Sequence, residues 1–314
     1  MKKHCEGFCV PCSEEEFRFM NAKSFVSAAK VVLGSIIEHT AYQHYCRLDR
    51  ILVKIIQRRW FLSRCSSMTM NDLQEPQKFA GETDALRRTF VTCFEHCLSE
   101  DVAMWGLYGK RDPFALRVTI PGNELVAWMR RIEIKSDVSQ ETSCKVKREK
   151  SVKELDVRDG RNKTLSGGKI LVSLFRDMLY ASVAGDKERD EYDIRRGNRV
   201  SWEKAYYNLK DGENVVDGQY AGFIKDCEWW HERESRLCIR LKKPVDIDNI
   251  SIKIPIEVIS AMRFTFSPWL KRSEEKRVKG VIEMALKGAG VDLDAKPKFQ
   301  RFRRSVLQDA LNFK

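Results

Sequence analysis

Apolar residues recur at helical spacing from Asn21 to Ile37 (Phe25, Ala28, Ala29, Val32, Leu33, Ile36), which predicts a helix. Leu48–Gln57 repeats the pattern, with Leu48, Ile51, Leu52 and Ile55 on one side. Between and after them, short runs rich in aromatic and β-branched residues predict strands at Tyr42–Cys46, Trp60–Ser63, Thr89–Phe94 and Ala115–Ile120, the last ended by Pro121-Gly122. Asp101–Tyr108 and Glu124–Arg131 read as short helices, and Leu171–Val183 as a longer one. Trp202–Asn208 and Cys227–Leu241 read as strands, Pro255–Met262 as a helical turn, and Phe264–Phe266 as a strand. Ser273–Lys287 is a strongly amphipathic helix, and Val291–Leu293 reads as a last strand.

Strands and helices do not alternate cleanly, so the pattern favours an α+β fold over a doubly wound sheet: a compact mixed or antiparallel sheet core with flanking helices. Residues 1–40 read as a cysteine-bearing head and helix, 41–295 as a single α+β domain, and 296–314 as a basic tail. Ser136–Lys169 carries Lys145, Lys147, Arg148, Lys150 and Lys153 before a Ser-Gly-Gly stretch, and reads as an exposed basic insertion.

Lysine and arginine total 57 against 45 aspartates and glutamates, a formal charge of +12. A surplus of this size favours a polyanionic partner, RNA or DNA first, with a solvated basic surface as the simpler account. The longest apolar stretch, Phe25–Ile37, is interrupted by Lys30 and falls short of the roughly 18 residues of a spanning helix. With no apolar core behind Lys2 and Lys3, a cytoplasmic location and reduced thiols are expected for the ten cysteines. Cys5, Cys9 and Cys12 have the spacing of an iron–sulfur cluster motif, or of half a zinc site with His4, but an unliganded tail fits their position better. Cys93-Phe94-Glu95-His96-Cys97 also suggests a metal, although a strand would send neighbouring side chains to opposite faces.

The chemistry concentrates in Trp229-Trp230-His231-Glu232-Arg233-Glu234-Ser235-Arg236. On a strand, Glu232, Glu234 and Arg236 share a face, with the carboxylates about 7 Å apart. Such a trio holds ribose hydroxyls or steadies a cationic transition state; a charged stripe on an edge strand is the structural alternative. His44, among aromatics, fits a packed core position or a ligand contact. Asn71 and Asp72 fit a turn cap or a pocket loop. Trp105 and Tyr108 fall on one helical side and fit core packing or stacking on a flat ring.

Four segments, in order, resemble the prokaryotic domain-of-unknown-function 2971 family: Tyr42–Cys46, Asn71–Glu75, Met104–Gly109 and Trp229–Arg236. The chain departs from that pattern at Leu73-Gln74, where Pro-Phe is usual, and at Arg111–Phe114, where glycines are usual. More distantly, an early-strand histidine, central aromatics and a late-strand Glu-x-Glu resemble the ADP-ribosyltransferase superfamily and its split sheet. That resemblance implies NAD as a substrate. It implies Glu234 as the late-strand glutamate, with Glu232 and Arg236 supporting it. His44, Tyr45, Ser63, Asn71, Trp105 and Tyr108 would hold the dinucleotide. It further implies a toxin or antiviral effector that modifies nucleic acid or protein, with a cognate antitoxin or defence-system partner. The alternatives are a non-catalytic nucleic-acid- or partner-binding module, an NAD glycohydrolase, and a metal-dependent nuclease.

Overall fold

A computed structural model describes residues 34–65, 87–96, 100–135, 155–165, 169–182, 199–201, 222–295 and 300–307. The chain divides into two compact units, residues 1–39 with 176–230, and residues 40–175 with 231–314. In chain order the elements are β1 (Ala41–Arg47), α1 (Leu48–Gln57), β2 (Arg59–Arg64), β3 (Thr89–Glu95), α2 (Val102–Leu107), β4 (Ala115–Pro121) and α3 (Gly122–Arg131). They continue with β5 (Val157–Asp159), β6 (Thr164–Leu165), β7 (Ile170–Asp177), β8 (Leu179–Ser182), β9 (Arg199–Ser201) and β10 (Ile224–Asp226). A 3-10 turn (Cys227–Glu232) precedes β11 (Glu234–Leu241), β12 (Asn249–Lys253), α4 (Ile256–Ala261), β13 (Arg263–Phe266), α5 (Arg272–Gly288) and β14 (Phe302–Arg303).

The fold is therefore mixed α+β, as the sequence pattern predicts. The larger unit is built on an 11-stranded, largely antiparallel sheet in the order β14-β13-β4-β1-β3-β2-β12-β5-β6. β11 adds to β3, and β7 to β11. β3 is the branch point. Its far end meets β1 at Gln43↔Glu95, its near end meets β2 at Ser63↔Val91 and Arg64↔Phe90, and its other edge carries β11 over seven residue pairs. The smaller unit holds a three-stranded parallel sheet, β10-β8-β9.

α1 links the two strands of the fork. Ile51 and Ile55 are buried on its inner face, and Arg58, in the left-handed conformation at φ 51°, returns its N–H to the Ile55 carbonyl and turns the chain into β2. Alternation then separates two faces of the central strands. One face is aromatic: Tyr42, Trp60, Phe94 and Phe175 are all fully or almost fully buried. Trp60 stacks on Phe94 at 5.2 Å between ring centroids, and Phe175 meets both Tyr42 and Phe94 edge-on. α5 buries Val278, Ile282, Ala285 and Leu286, the i, i+4, i+7, i+8 stripe its periodicity predicts.

Four expectations are corrected. The expected helix at Leu171–Val183 is, over its described residues 171–182, the strands β7 and β8; β7 is buried along nearly its whole length, so its apolar run lacks the alternation that marks a half-buried strand. Cys227–Leu241 is not one strand, because a helical turn occupies Cys227–Glu232. Residues 291–293 form no strand, and within the basic tail Phe302–Arg303 instead pairs in parallel with β13. Residues 155–165 of the expected insertion join the sheet as β5 and β6, with Leu155, Val157 and Leu165 buried. Residues 136–154, the cysteine-bearing head and Trp202–Asn208 lie outside the described residues. No helix among the described residues is long and apolar enough to cross a membrane.

Candidate functional site

The face opposite the aromatic core carries a row of polar side chains across five strands. Antiparallel register places Arg263, Thr119, Gln43, Glu95 and Glu234 side by side on β13, β4, β1, β3 and β11. The next row holds Thr265, Arg117 and Tyr45 on one side, and Cys93 opposite Arg236 on the other. Gln43, Glu95, Glu234, Arg236 and Thr265 are all at most 3% exposed. A buried polar row of this kind is costly unless its members bond one another, and most do.

Arg117 donates to Gln43 Oε1 at 3.0 Å, and to Glu100 Oε1 and Thr265 Oγ1 at 3.3 Å each. Glu100 also accepts from the Trp105 indole at 3.4 Å and from the Ser305 hydroxyl. Arg236 grips Glu234 through both carboxylate oxygens, from Nε at 2.8 Å and Nη2 at 3.3 Å. Period-2 geometry on β11 makes this pairing possible, as the sequence predicts.

Glu232 reaches the same place by another route. Its backbone lies in the helical turn, and Arg233, exposed and held at φ 40°, makes the corner into β11. The Tyr108 hydroxyl, one residue past α2, donates to Glu232 Oε1 at 2.8 Å. Burial raises the Tyr108 pKa well above its ordinary value, reinforced by the charges of Glu232 and Glu234. Tyr108 thus stands against both carboxylates as a neutral donor. Asp101 sets the start of α2 by accepting from the Ala103 N–H at 2.7 Å. Tyr45 packs edge-on to the fully buried Trp105, with centroids 5.0 Å apart.

Glu95 differs from the other carboxyls. Neither of its buried oxygens makes a hydrogen bond, nor do the Tyr45 hydroxyl and Arg117 Nε close by. Tyr45, Glu95 and Arg117 are close neighbours that act on one another's ionisation, the Tyr45 hydroxyl and the Arg117 guanidinium both favouring the Glu95 carboxylate. Burial pushes the Glu95 carboxyl up to about 8, against the partial relief of Arg117, the Tyr45 hydroxyl and Arg233, with Asp101 adding to the rise. Glu95 is therefore mainly protonated at neutral pH, while its cross-strand neighbour Glu234 is ion-paired. In sequence Glu95 stands out only as part of the Cys93–Cys97 segment that suggests a metal, not as a partner of Glu234. Its position at the end of an apolar strand gives no sign of its neighbours, and only the pairing of β3 with β11 reveals them.

The structure brings Glu232, Glu234, Arg236, Tyr45, Trp105 and Tyr108 to one face, and leaves two other candidates apart. His44 points to the aromatic face. Its Nδ1 lies 3.0 Å from the Cys93 carbonyl and its Nε2 2.6 Å from Lys54 Nζ. A carbonyl only accepts and an ammonium only donates, so the imidazole is neutral with its proton on Nδ1. Burial, then the Lys54 charge, holds its pKa well below the ordinary range. Lys54 is itself buried, sits 4.1 Å over the Trp60 ring, and is lowered by burial to about 8. Ser63 is exposed on β2, opposite Val91 and so roughly 14 Å along β3 from Glu95. Asn71 lies outside the described residues.

A depressed lysine pKa gives stability that is complete above the unfolded value of 10.5 and lost as pH falls through about 8. Lys54→Met removes that cost. The unfolding free energy of the variant relative to the native chain is expected to be highest and level below about pH 8, and to decline as pH rises from about 8 to 10.5. Urea denaturation at a series of pH values measures it; parallel curves would show that Lys54 keeps its ordinary pKa in the fold.

No protein-family model, no curated protein and no solved structure matches this chain.

Proposed function

We propose that this chain breaks the N-glycosidic bond of a nicotinamide dinucleotide and transfers the ADP-ribosyl group to a nucleic acid or protein. Glu234 is the carboxylate beside the ribose, and Glu232, Arg236 and Tyr108 set its position. The observation that carries this reading is the buried cluster of Glu232 and Glu234 with a neutral tyrosine and a bidentate arginine. Departure of nicotinamide leaves positive charge on the ribose, and a desolvated, fixed carboxylate stabilises that charge far more than water does. The branching of the sheet at β3 supports an ADP-ribosyltransferase-like split sheet. NAD is a substrate here, held without a glycine-rich dinucleotide loop. A cytoplasmic toxin or antiviral effector with a cognate protective partner belongs to the same proposal.

The test uses NAD labelled in its adenylate, with separate pools of RNA, single-stranded DNA and cell protein, beside Glu234→Gln. Label transfer is expected to fall by at least about 100-fold in the folded variant. Undiminished transfer by that variant overturns the reading. The +12 charge supports a second one, a module that binds nucleic acid without chemistry. It predicts steeply salt-dependent binding that Glu234→Gln leaves intact.

A further inference from the structure

Glu232, Glu234 and Glu100 each have a bonded donor, whereas neither Glu95 oxygen has a partner at hydrogen-bond geometry, the Tyr45 hydroxyl being a close polar neighbour. Its placement is specific. The His96 N–H bonds the Arg233 carbonyl, and the Leu241 N–H bonds the Arg88 carbonyl. Alternation along the ladder then makes Glu95–Glu234 a non-hydrogen-bonded pair, the type in which the Cα atoms approach to about 4.5 Å and the side chains stand closest. Cys93 and Tyr108, on the same side, are partly exposed.

We propose that Glu95 is the proton donor of this site, and that it extends the donor class to neutral nucleosides and nucleotides, whose base must be protonated in order to leave. This rests on the glycosidic reading of Glu234. Nicotinamide departs from NAD by taking the bonding pair onto its cationic ring, and needs no acid. A purine departs as a poor anion unless a proton reaches it.

The step balances within the site. The Glu95 carboxyl gives its proton to a ring nitrogen as the C1′–N pair moves to the base. Glu234 faces the cationic ribose. A water oxygen bonds to C1′, and its proton returns to the Glu95 carboxylate. The products are free base and the sugar or sugar phosphate.

The groups facing Glu95 are Tyr45 on β1, Arg117 on β4, Glu234 and Arg233 at β11, and Asp101 before α2. Burial dominates over the two arginines and the Tyr45 hydroxyl and keeps the carboxyl protonated to about pH 8. Two neighbouring carboxyls in opposite protonation states are what acid-assisted glycosidic cleavage requires.

The experiment follows base release from adenosine and AMP, and nicotinamide release from NAD, from about pH 5 to 10. It compares the native chain with Glu95→Gln, Glu95→Asp and Glu234→Gln, each shown folded by circular dichroism. Native base release is expected to decline above pH 8. Glu95→Gln should lower base release by about 100-fold and nicotinamide release by at least tenfold less, and Glu95→Asp should restore part of the former. Glu234→Gln should abolish both.

Equal losses on both donors in Glu95→Gln, an unchanged pH profile, or a native chain that releases nicotinamide but no purine would each overturn the Glu95 proposal and leave the ADP-ribosyl reading standing. Nicotinamide release that survives Glu234→Gln, or a native chain silent on every donor, removes the glycosidic reading and the Glu95 proposal with it.

Discussion

Replacing Arg236 by alanine is expected to lower the unfolding free energy by about 3–5 kcal/mol, because it removes the bidentate cation from a buried carboxylate, Glu234. Arg236 is 1% exposed and Glu234 3%, so water cannot take over the two bonds that the guanidinium makes. Chemical denaturation reads the loss directly. A companion double variant, Arg236→Met with Glu234→Leu, removes both charges while keeping their volume, and should recover most of it. If the double variant is as unstable as the single one, the loss comes from packing around the guanidinium stem and not from a stranded charge.

The second large effect is on the pH dependence of stability. The folded chain holds the Glu95 proton to about pH 8, and the unfolded chain releases it near 4.5. Stability from this group is therefore complete below pH 4.5 and declines as pH rises through 8. A shift of this size corresponds to at most about 5 kcal/mol across the window. Glu95→Gln keeps the shape and removes the titration, so its stability relative to the native chain should climb steadily through that window and then level off. Unfolding midpoints of the two proteins at matched pH measure this. A constant difference between them would mean that Glu95 ionises as freely in the fold as out of it.

Much of the fold was legible in the sequence. The fork strands β1 and β2 and the helix between them follow from Tyr42–Cys46, Leu48–Gln57 and Trp60–Ser63, where alternation and helical spacing are clear. What failed had physical causes. β7 is buried on both sides, so Leu171–Phe175 carries no face signal and imitates a helix. The Glu-x-Glu segment looked like an uninterrupted strand because no glycine or proline marks the left-handed corner, which falls on Arg233. The pairing of Glu234 with Arg236 follows from their spacing alone. The contribution of Tyr108, and above all of Glu95, depends on which strand lies beside which, and local sequence does not encode that. The resemblance puts His44 among the dinucleotide contacts, whereas its aromatic neighbours suit a core position, and in the structure it packs against Trp60 and Phe94.

The branching at β3 also bears on the order in which the molecule assembles. β1, α1 and β2 are contiguous and need only short loops to meet. The pairing of β3 with β11 joins residues 139 apart in sequence, at His96 and Ser235 for example. Contacts that distant form slowly, since the entropy of closing the intervening chain is lost before they contribute. Glu95 and Glu234 therefore become neighbours only when this long closure is complete. A nascent chain that has already built its fork still lacks the carboxyl pair, and any activity that depends on the pair stays silent until synthesis has passed β11.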